Sequence, residues 1–209
     1  MDAFFFHLVN NLAGQSASVD AVVKYLSTND QNIMEVVGVL CVVLAGRMAL
    51  QPKIRMAIVA GISALITGYL ALMTNFFLWF HRARPYTVLT GNDIHLLTKA
   101  SAAQAYTSFP SGHAMFFFAI ATSIFLTDKC KHRELGWLAF IVATVLSLSK
   151  LYVGAHWPSD LIVGGALGAL IAWIVWRIVK LVCARVGKPE AMMASGSSSM
   201  KMESPEKMM

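Results

Sequence analysis

Apolar positions gather into five runs: Ile33 to Leu50, Ala57 to Phe80, Ala114 to Leu126, Leu135 to Leu148, and Leu161 to Val182. A helix needs roughly 20 mainly apolar residues to cross a hydrocarbon core about 30 Å thick. The second and fifth runs reach that length. The third and fourth reach it only with flanking polar residues. The pattern predicts an all-α integral membrane protein of about five transmembrane helices in one bundle. Residues 3–27 behave differently, mixing Phe, Leu and Val with Asn, Gln, Ser and Asp. That mixture predicts an interfacial amphipathic helix, broken near Gly14-Gln15-Ser16. A sixth span is the alternative there. The opening "MDAFFFHLVNN" carries an acid where a cleaved signal peptide would be basic.

Composition agrees with the runs. Hydrophobic residues make up 57% of the 209 positions and charged residues 13%, whereas a soluble domain is nearer 45–50% and about 25%. Mean hydropathy is +0.62. The net charge of +6 does not indicate nucleic acid, because the basic residues sit at alternate ends of the runs. "GRMALQPKIR" joins the first two, "DKCKHRE" joins the third and fourth, and Arg177, Lys180, Arg185 and Lys188 end the fifth. Basic loops tend to stay cytoplasmic, so 81–110 and 149–160 are expected to face outward. Residues 1–186 then form a single membrane domain, with 1–31 as its interfacial N-terminal region. The Ser-, Met-, Lys- and Glu-rich stretch 187–209 is expected to be a disordered cytoplasmic tail. Cys41, Cys130 and Cys183 have no paired or metal-type spacing and are expected to be free thiols.

Three polar segments fall on the outward face: "HRARPY", "SFPSGHA" and "SKLYVGAHWPSD". In the second, Pro110 suits the first turn of a helix. Ser111 and Gly112 would expose backbone donors at a start that attracts anions, and His113 beside them can donate a proton. Alone, "PSGH" fits a plain helix entry better. In the third, Pro158 predicts where the fifth helix begins. Asp160, in its first turn, can reach back to His156 and leave the other ring nitrogen more basic. Alone, that segment fits helix capping equally well. Lys150 and Arg84 add cations, Arg suited to forked contact with phosphate oxygens and Lys to a point-charge contact. Two histidines, two cations, a carboxylate and a helix start on one face favour phosphoryl transfer. Asp93 and His95, isolated in the first outward loop, do not make a metal site.

These segments resemble the signatures of the type 2 phosphatidic acid phosphatase (PAP2) superfamily, K-x6-RP, PSGH and SR-x5-H-x3-D. They occur in that order as "FLWFHRARP", "PSGH" and "SKLYVGAHWPSD", covering Phe77 to Asp160. The layout resembles the bacterial undecaprenyl-diphosphatase branch, small enzymes that recycle the lipid carrier of cell-wall synthesis. The resemblance implies that His156 attacks the terminal phosphorus and forms a phosphohistidine, with Asp160 orienting it. It implies that His113 protonates the leaving oxygen and then assists water. Arg84, Lys150, Ser111 and the Gly112 backbone would hold the phosphoryl oxygens, without a metal or other cofactor. A polyprenyl diphosphate in the inner membrane of a bacterium is the implied substrate, met from the periplasmic or outer side. Phosphatidic acid or phosphatidylglycerophosphate is the alternative substrate, and a non-catalytic phosphate-binding membrane protein the alternative of another class. Two positions depart from the signatures. Phe77 stands where the first motif has lysine, with Arg82 the candidate substitute for phosphate binding. Lys150 stands where the third motif has arginine.

Overall fold

The computed structural model describes residues 1–44, 50–77, 81–127 and 133–186. They form eight α-helices: α1 (Asp2–Asn10), α2 (Ala17–Thr28), α3 (Asp30–Leu44), α4 (Leu50–Phe77), α5 (Pro85–Val88), α6 (Gly112–Thr127), α7 (Arg133–Tyr152) and α8 (Pro158–Val186). Among the described residues the only β-type pairing is an isolated parallel bridge between Arg82 and Thr107. The expected tail 187–209 and Cys130 lie outside the described residues, as does the side chain of Cys41. Cys183 is a free thiol.

Each predicted run falls on a long helix, but the boundaries move. By length and hydropathy, two helices among the described residues are sufficient to cross a membrane, Glu134–Tyr152 and Pro158–Ala184. The apolar stretches Ala57–Thr67 and Gly112–Leu126 are shorter. Five helices of 15–29 residues overlap the runs, therefore, while two meet the strict measure. The exterior argues for lipid around them. In α7, Trp137, Leu138, Ile141, Val145 and Leu148 are exposed, while Ala139, Ala143 and Leu146 on the other side are buried. In α8, Ile162, Leu170, Trp173, Ile174, Ile178 and Leu181 are exposed. Such helices are apolar on both faces, a pattern that suits a hydrocarbon surround.

Helix α6 is the hub. Phe117, Ile120, Ala121 and Ile124 pack with Ala139, Ala143 and Leu146 of α7 and Met34 of α3. Against α8 the approach is backbone to backbone. A Cβ on Gly164 would stand 2.5 Å from the Ser111 carbonyl oxygen, and one on Gly168 would stand 2.1 Å from that of Met115. Small residues four apart permit this contact in membranes. It fixes the start of α6 against the start of α8, where the second and third motifs lie.

Helices α1 and α2 break where the sequence predicts, with Gly14 between them at φ +82°. Phe4, Phe5 and Leu8 of α1 are exposed, as an interfacial helix requires, yet Phe6 and Asn10 are completely buried. Phe6 packs on Trp157 with ring centroids 5.3 Å apart. Asn10 Nδ2 donates to the carbonyls of His95 and Tyr152 at 2.9 and 2.8 Å, and its Oδ1 accepts the His95 N–H. The N-terminal region is thus part of the bundle.

Candidate active site

Backbone pairing brings the first two motifs together. Arg84 N–H donates to the Ala105 carbonyl at 2.8 Å, and Ser108 N–H donates to the Arg82 carbonyl at 3.1 Å. The second and third motifs meet where Ser111 N–H donates to the Asp160 carbonyl at 3.1 Å. The chain leaves α7 through Gly154, whose φ of +82° lies in the left-handed region that favours glycine. That turn places His156 under the N-terminus of α6.

His156 is 2% exposed. Its Nδ1 is 3.0 Å from the Ser108 carbonyl oxygen, and its Nε2 is 3.3 Å from Arg84 Nη1. A carbonyl only accepts and a guanidinium only donates. Both contacts therefore assign the proton to Nδ1 and leave a lone pair on Nε2. Burial lowers the pKa of this imidazole from its ordinary value; Asp160 pushes back, while Arg84 and Lys150 push the same way as burial. The balance favours the neutral ring.

Asp160 differs from the expected direct clamp. Its Oδ2 is 3.6 Å from His156 Nδ1, too long for a hydrogen bond, because Ser108 has taken that place. Oδ2 instead accepts the Ser108 hydroxyl at 2.5 Å and the Trp157 N–H at 2.9 Å. The second bond caps α8, as in a capping box. Asp160 therefore orients His156 through Ser108 and the cap, and by its charge.

Arg82 is not placed as a phosphate ligand. Its Nη1 donates to Asp160 Oδ1 and to Ser159 Oγ, both at 2.6 Å, and its Nη2 pairs with Asp2. Its guanidinium also lies 5.7 Å from the Trp157 ring centroid. Short carboxylate contacts use the charge that phosphate would need. The side chain of Phe77 lies outside the described residues.

Arg84 is fixed by three carbonyls. Nε donates to Gln104 at 3.0 Å, Nη1 to Ala155 at 3.1 Å and Nη2 to Thr107 at 3.4 Å. No carboxylate is among those partners, so its charge remains available beside His156. Lys150 belongs to the last turn of α7 and not to a loop. Its Nζ lies 2.9 Å from Asp30 Oδ2 and donates to the Ser27 carbonyl at 2.6 Å.

A cavity of about 1110 Å³ opens over these groups, lined by Arg84, Gly112, His113, Lys150 and His156 among others. His113 faces His156 with ring centroids 6.5 Å apart. The α-helix begins at Gly112, so Pro110 sits before it, after a cis Phe109–Pro110 bond. The first N–H groups of α6 have no intrahelical acceptor. Ser111 is fully buried and is not among the cavity-lining residues; its Oγ accepts the Ala114 N–H at 3.4 Å. Ser108, Asp2, Asp30, Lys24 and Lys99 bear on the cavity or its supports without having been singled out by the motifs. Only Ser108 had a signal in the sequence, its place two residues before "PSGH".

Three comparisons bear on this arrangement. The model of the PAP2 superfamily matches residues 52–182. The undecaprenyl-diphosphatase BcrC of Bacillus subtilis is 24% identical over 182 residues, 87% of this chain and 86% of that one. The undecaprenyl-diphosphatase of Sulfolobus acidocaldarius is 39% identical over 71 residues, 34% of this chain and 33% of that one. The curated relatives matched at 39% identity are spanned over about a third of their length. The crystal structure of Aquifex aeolicus LpxE superposes with a TM-score of 0.59 at 22% identity, covering 84% of this chain and 94% of that one. That likeness supports the fold.

Proposed function

The chain belongs to the PAP2 superfamily, and from that premise we propose that it hydrolyses undecaprenyl or another polyprenyl diphosphate to the monophosphate and inorganic phosphate. The observation that carries the reading is the placement of His156, its Nδ1 on the Ser108 carbonyl and its Nε2 beside Arg84 and across a cavity from His113.

In the proposed reaction Nε2 attacks the terminal phosphorus. The bond from that phosphorus to the bridging oxygen breaks, and the electron pair leaves with the lipid monophosphate, which takes a proton from His113. Water then attacks the phosphohistidine while His113 accepts its proton. The N–P bond breaks, its electrons return to Nε2, and inorganic phosphate leaves. Arg84, Lys150 and the Gly112 N–H at the α6 start stabilise the phosphoryl oxygens as charge moves onto them. Asp160 and Ser108 keep the imidazole in its reactive tautomer.

The active face is proposed to lie on the periplasmic or outer side of a bacterial cytoplasmic membrane. From Pro158 to Lys180, α8 rises about 33 Å at 1.5 Å per residue, about one hydrocarbon core. At its far end Arg177 and Lys180 lie over Trp173 and Trp176 at 5.8 and 5.0 Å, the aromatic and basic pairing of a membrane interface.

The alternative substrate is a lipid monoester such as phosphatidic acid or phosphatidylglycerophosphate. The likeness to BcrC, over 87% of this chain, supports the diphosphate instead. Phosphate release from a lipid panel at matched detergent and lipid mole fraction tests the reading. The expected kcat/KM for polyprenyl diphosphate exceeds that for phosphatidic acid by at least about tenfold, or roughly 1.4 kcal/mol. Equal efficiencies, or a monoester preference, would replace the substrate; no release from any lipid would return the chain to a phosphate-binding role.

A further inference from the structure

The cavity over His156 is far larger than one phosphoryl group, which displaces on the order of two or three waters at about 30 Å³ each. Among the described residues its lining holds four Lys and Arg side chains, Lys24, Arg84, Lys99 and Lys150, and no carboxylate. Two of these are accounted for: Arg84 stands at His156, and Lys150 is paired with Asp30. Lys24 and Lys99 are exposed and make no ion pair among the described residues.

Their positions come from the elements that carry them. Lys24 lies one helical turn before Ser27, whose carbonyl takes Lys150 Nζ at 2.6 Å. It therefore continues the cationic wall along α2, about 5 Å beyond Ser27. Lys99 comes two residues after Leu97, whose N–H donates to the Val153 carbonyl at 3.3 Å. That bond lays the segment alongside the turn that delivers His156. Both charges line one cavity, so each attracts an anion that enters it. Thr98 lines the same cavity and can donate a hydroxyl hydrogen, whereas the Thr28 hydroxyl donates to the Lys24 carbonyl at 2.8 Å.

We propose that Lys24 and Lys99 form a second anion subsite, which takes a phosphate beyond the phosphoryl group that meets His156. The inference rests on the phosphatase reading for the identity of the first group. It assigns the diphosphate preference to this lysine pair and not to Arg82, whose charge is committed to Asp2 and Asp160. The ligand class is a diphosphate, whether carried on a lipid or free in solution.

Calorimetry on the purified full-length protein in detergent, with methylenediphosphonate and methylphosphonate as probes, tests the subsite without turnover. The wild-type protein should bind the bisphosphonate at least about tenfold more tightly than the monophosphonate. In Lys24→Ala/Lys99→Ala the two should bind within about twofold of each other, with monophosphonate affinity unchanged. Both lysines are exposed, and an unchanged unfolding midpoint confirms an intact fold. Arg177→Ala, at the other end of α8, removes the same sort of charge and should leave the ratio intact. A ratio that survives the double substitution, or no wild-type preference, overturns the subsite. A short-chain alkyl ester of methylenediphosphonate in the same micelles separates the sources: a further gain in affinity that the double variant loses assigns the subsite to a lipid headgroup, while an affinity no better than the bisphosphonate's assigns it to free diphosphate. Failure of every lipid to release phosphate would sink the phosphatase reading and leave the binding ratio to decide the subsite.

Discussion

The carboxylate of Asp2 caps a helix that begins 156 residues later. Its Oδ1 accepts the Ser159 N–H at 3.0 Å, and its Oδ2 accepts the Ser159 hydroxyl at 2.5 Å. Burial opposes ionisation of Asp2, but bonds from Ser159 and Arg82 outweigh it, so its pKa is lowered. Through Arg82, the same carboxylate is linked to Asp160. Asp2→Ala is therefore expected to lower stability by about 1 kcal/mol, the usual worth of an N-cap. Thermal unfolding in detergent measures the loss. Phosphate affinity should stay within about twofold, because Asp2 holds the support and not the ligand; a large affinity loss with unchanged stability would contradict that assignment.

The pH dependence of His156 follows from its surroundings. The nucleophile must be neutral, and burial puts its pKa below the ordinary 6.5. The neutral fraction then exceeds one half at pH 6.5 and falls only at lower pH. Imidazole NMR of the folded protein should show the His156 midpoint below 6.5. In Asp160→Asn the midpoint should drop further, because the opposing carboxylate charge is gone. A midpoint above the ordinary value would mean that Asp160 dominates and that the resting ring is cationic.

Lys150 separates catalysis from stability. Lys150→Ala removes a cation from the cavity and leaves Asp30 as a buried carboxylate without it. Loss of transition-state charge stabilisation should lower kcat/KM by about 10²–10³-fold, and loss of the buried ion pair with Asp30 should lower stability as well. Asp30→Asn removes the ion pair while keeping the cation, since the Ser27 carbonyl still holds Nζ. Near-normal turnover in Lys150→Ala would assign the phosphoryl charge to Arg84 alone. Lys150→Arg should keep much of the activity, the longer fork still reaching the cavity.

The sequence makes the reacting groups legible but not their supports. His113, His156, Arg84 and Asp160 stand in short segments whose spacing already implies a helix start and a nearby base. Ser108 escapes that logic because its carbonyl, rather than its side chain, holds His156, and any residue type carries a carbonyl. The tie between Asp2, Arg82 and Asp160 depends on α1 folding onto the start of α8, which local periodicity does not encode. The break at Gly14 was readable from turn-forming residues; the burial of Asn10 was not, since a polar residue on an amphipathic helix normally faces water. An apolar run ends at its first charge, which puts Lys150 outside the fourth run, whereas the helix continues to Tyr152 with Asp30 paired to Lys150.

Orientation has a direct measurement. Ala155 is only 7% exposed and is a poor labelling site, so Thr90 and Asn92, both exposed, are better ones. In a cysteine-free variant, cysteines at either position should react with an impermeant maleimide in intact cells. A cysteine at Lys180 should react only after permeabilisation. The reverse pattern would put the histidines on the cytoplasmic side.

The packing of α6 on α8 should also be felt in the chemistry. A methyl group at Gly164 would lie 2.5 Å from the Ser111 carbonyl oxygen and 3.3 Å from the Ser111 nitrogen. Those atoms are backbone, so no side-chain rotation relieves the clash, and the start of α6 must move from α8. The bond from Ser111 N–H to the Asp160 carbonyl spans that junction, and His113 and His156 stand on its two sides. Gly164→Ala is expected to cost about 1–3 kcal/mol as overpacking and to reduce kcat by at least about tenfold through misplacement of the two rings. Gly61 has nothing within 4 Å of its Cβ position, so Gly61→Ala serves as the control and should change neither quantity appreciably. If Gly164→Ala lowers the unfolding midpoint while leaving kcat intact, the junction only stabilises the bundle and the rings are positioned by other contacts.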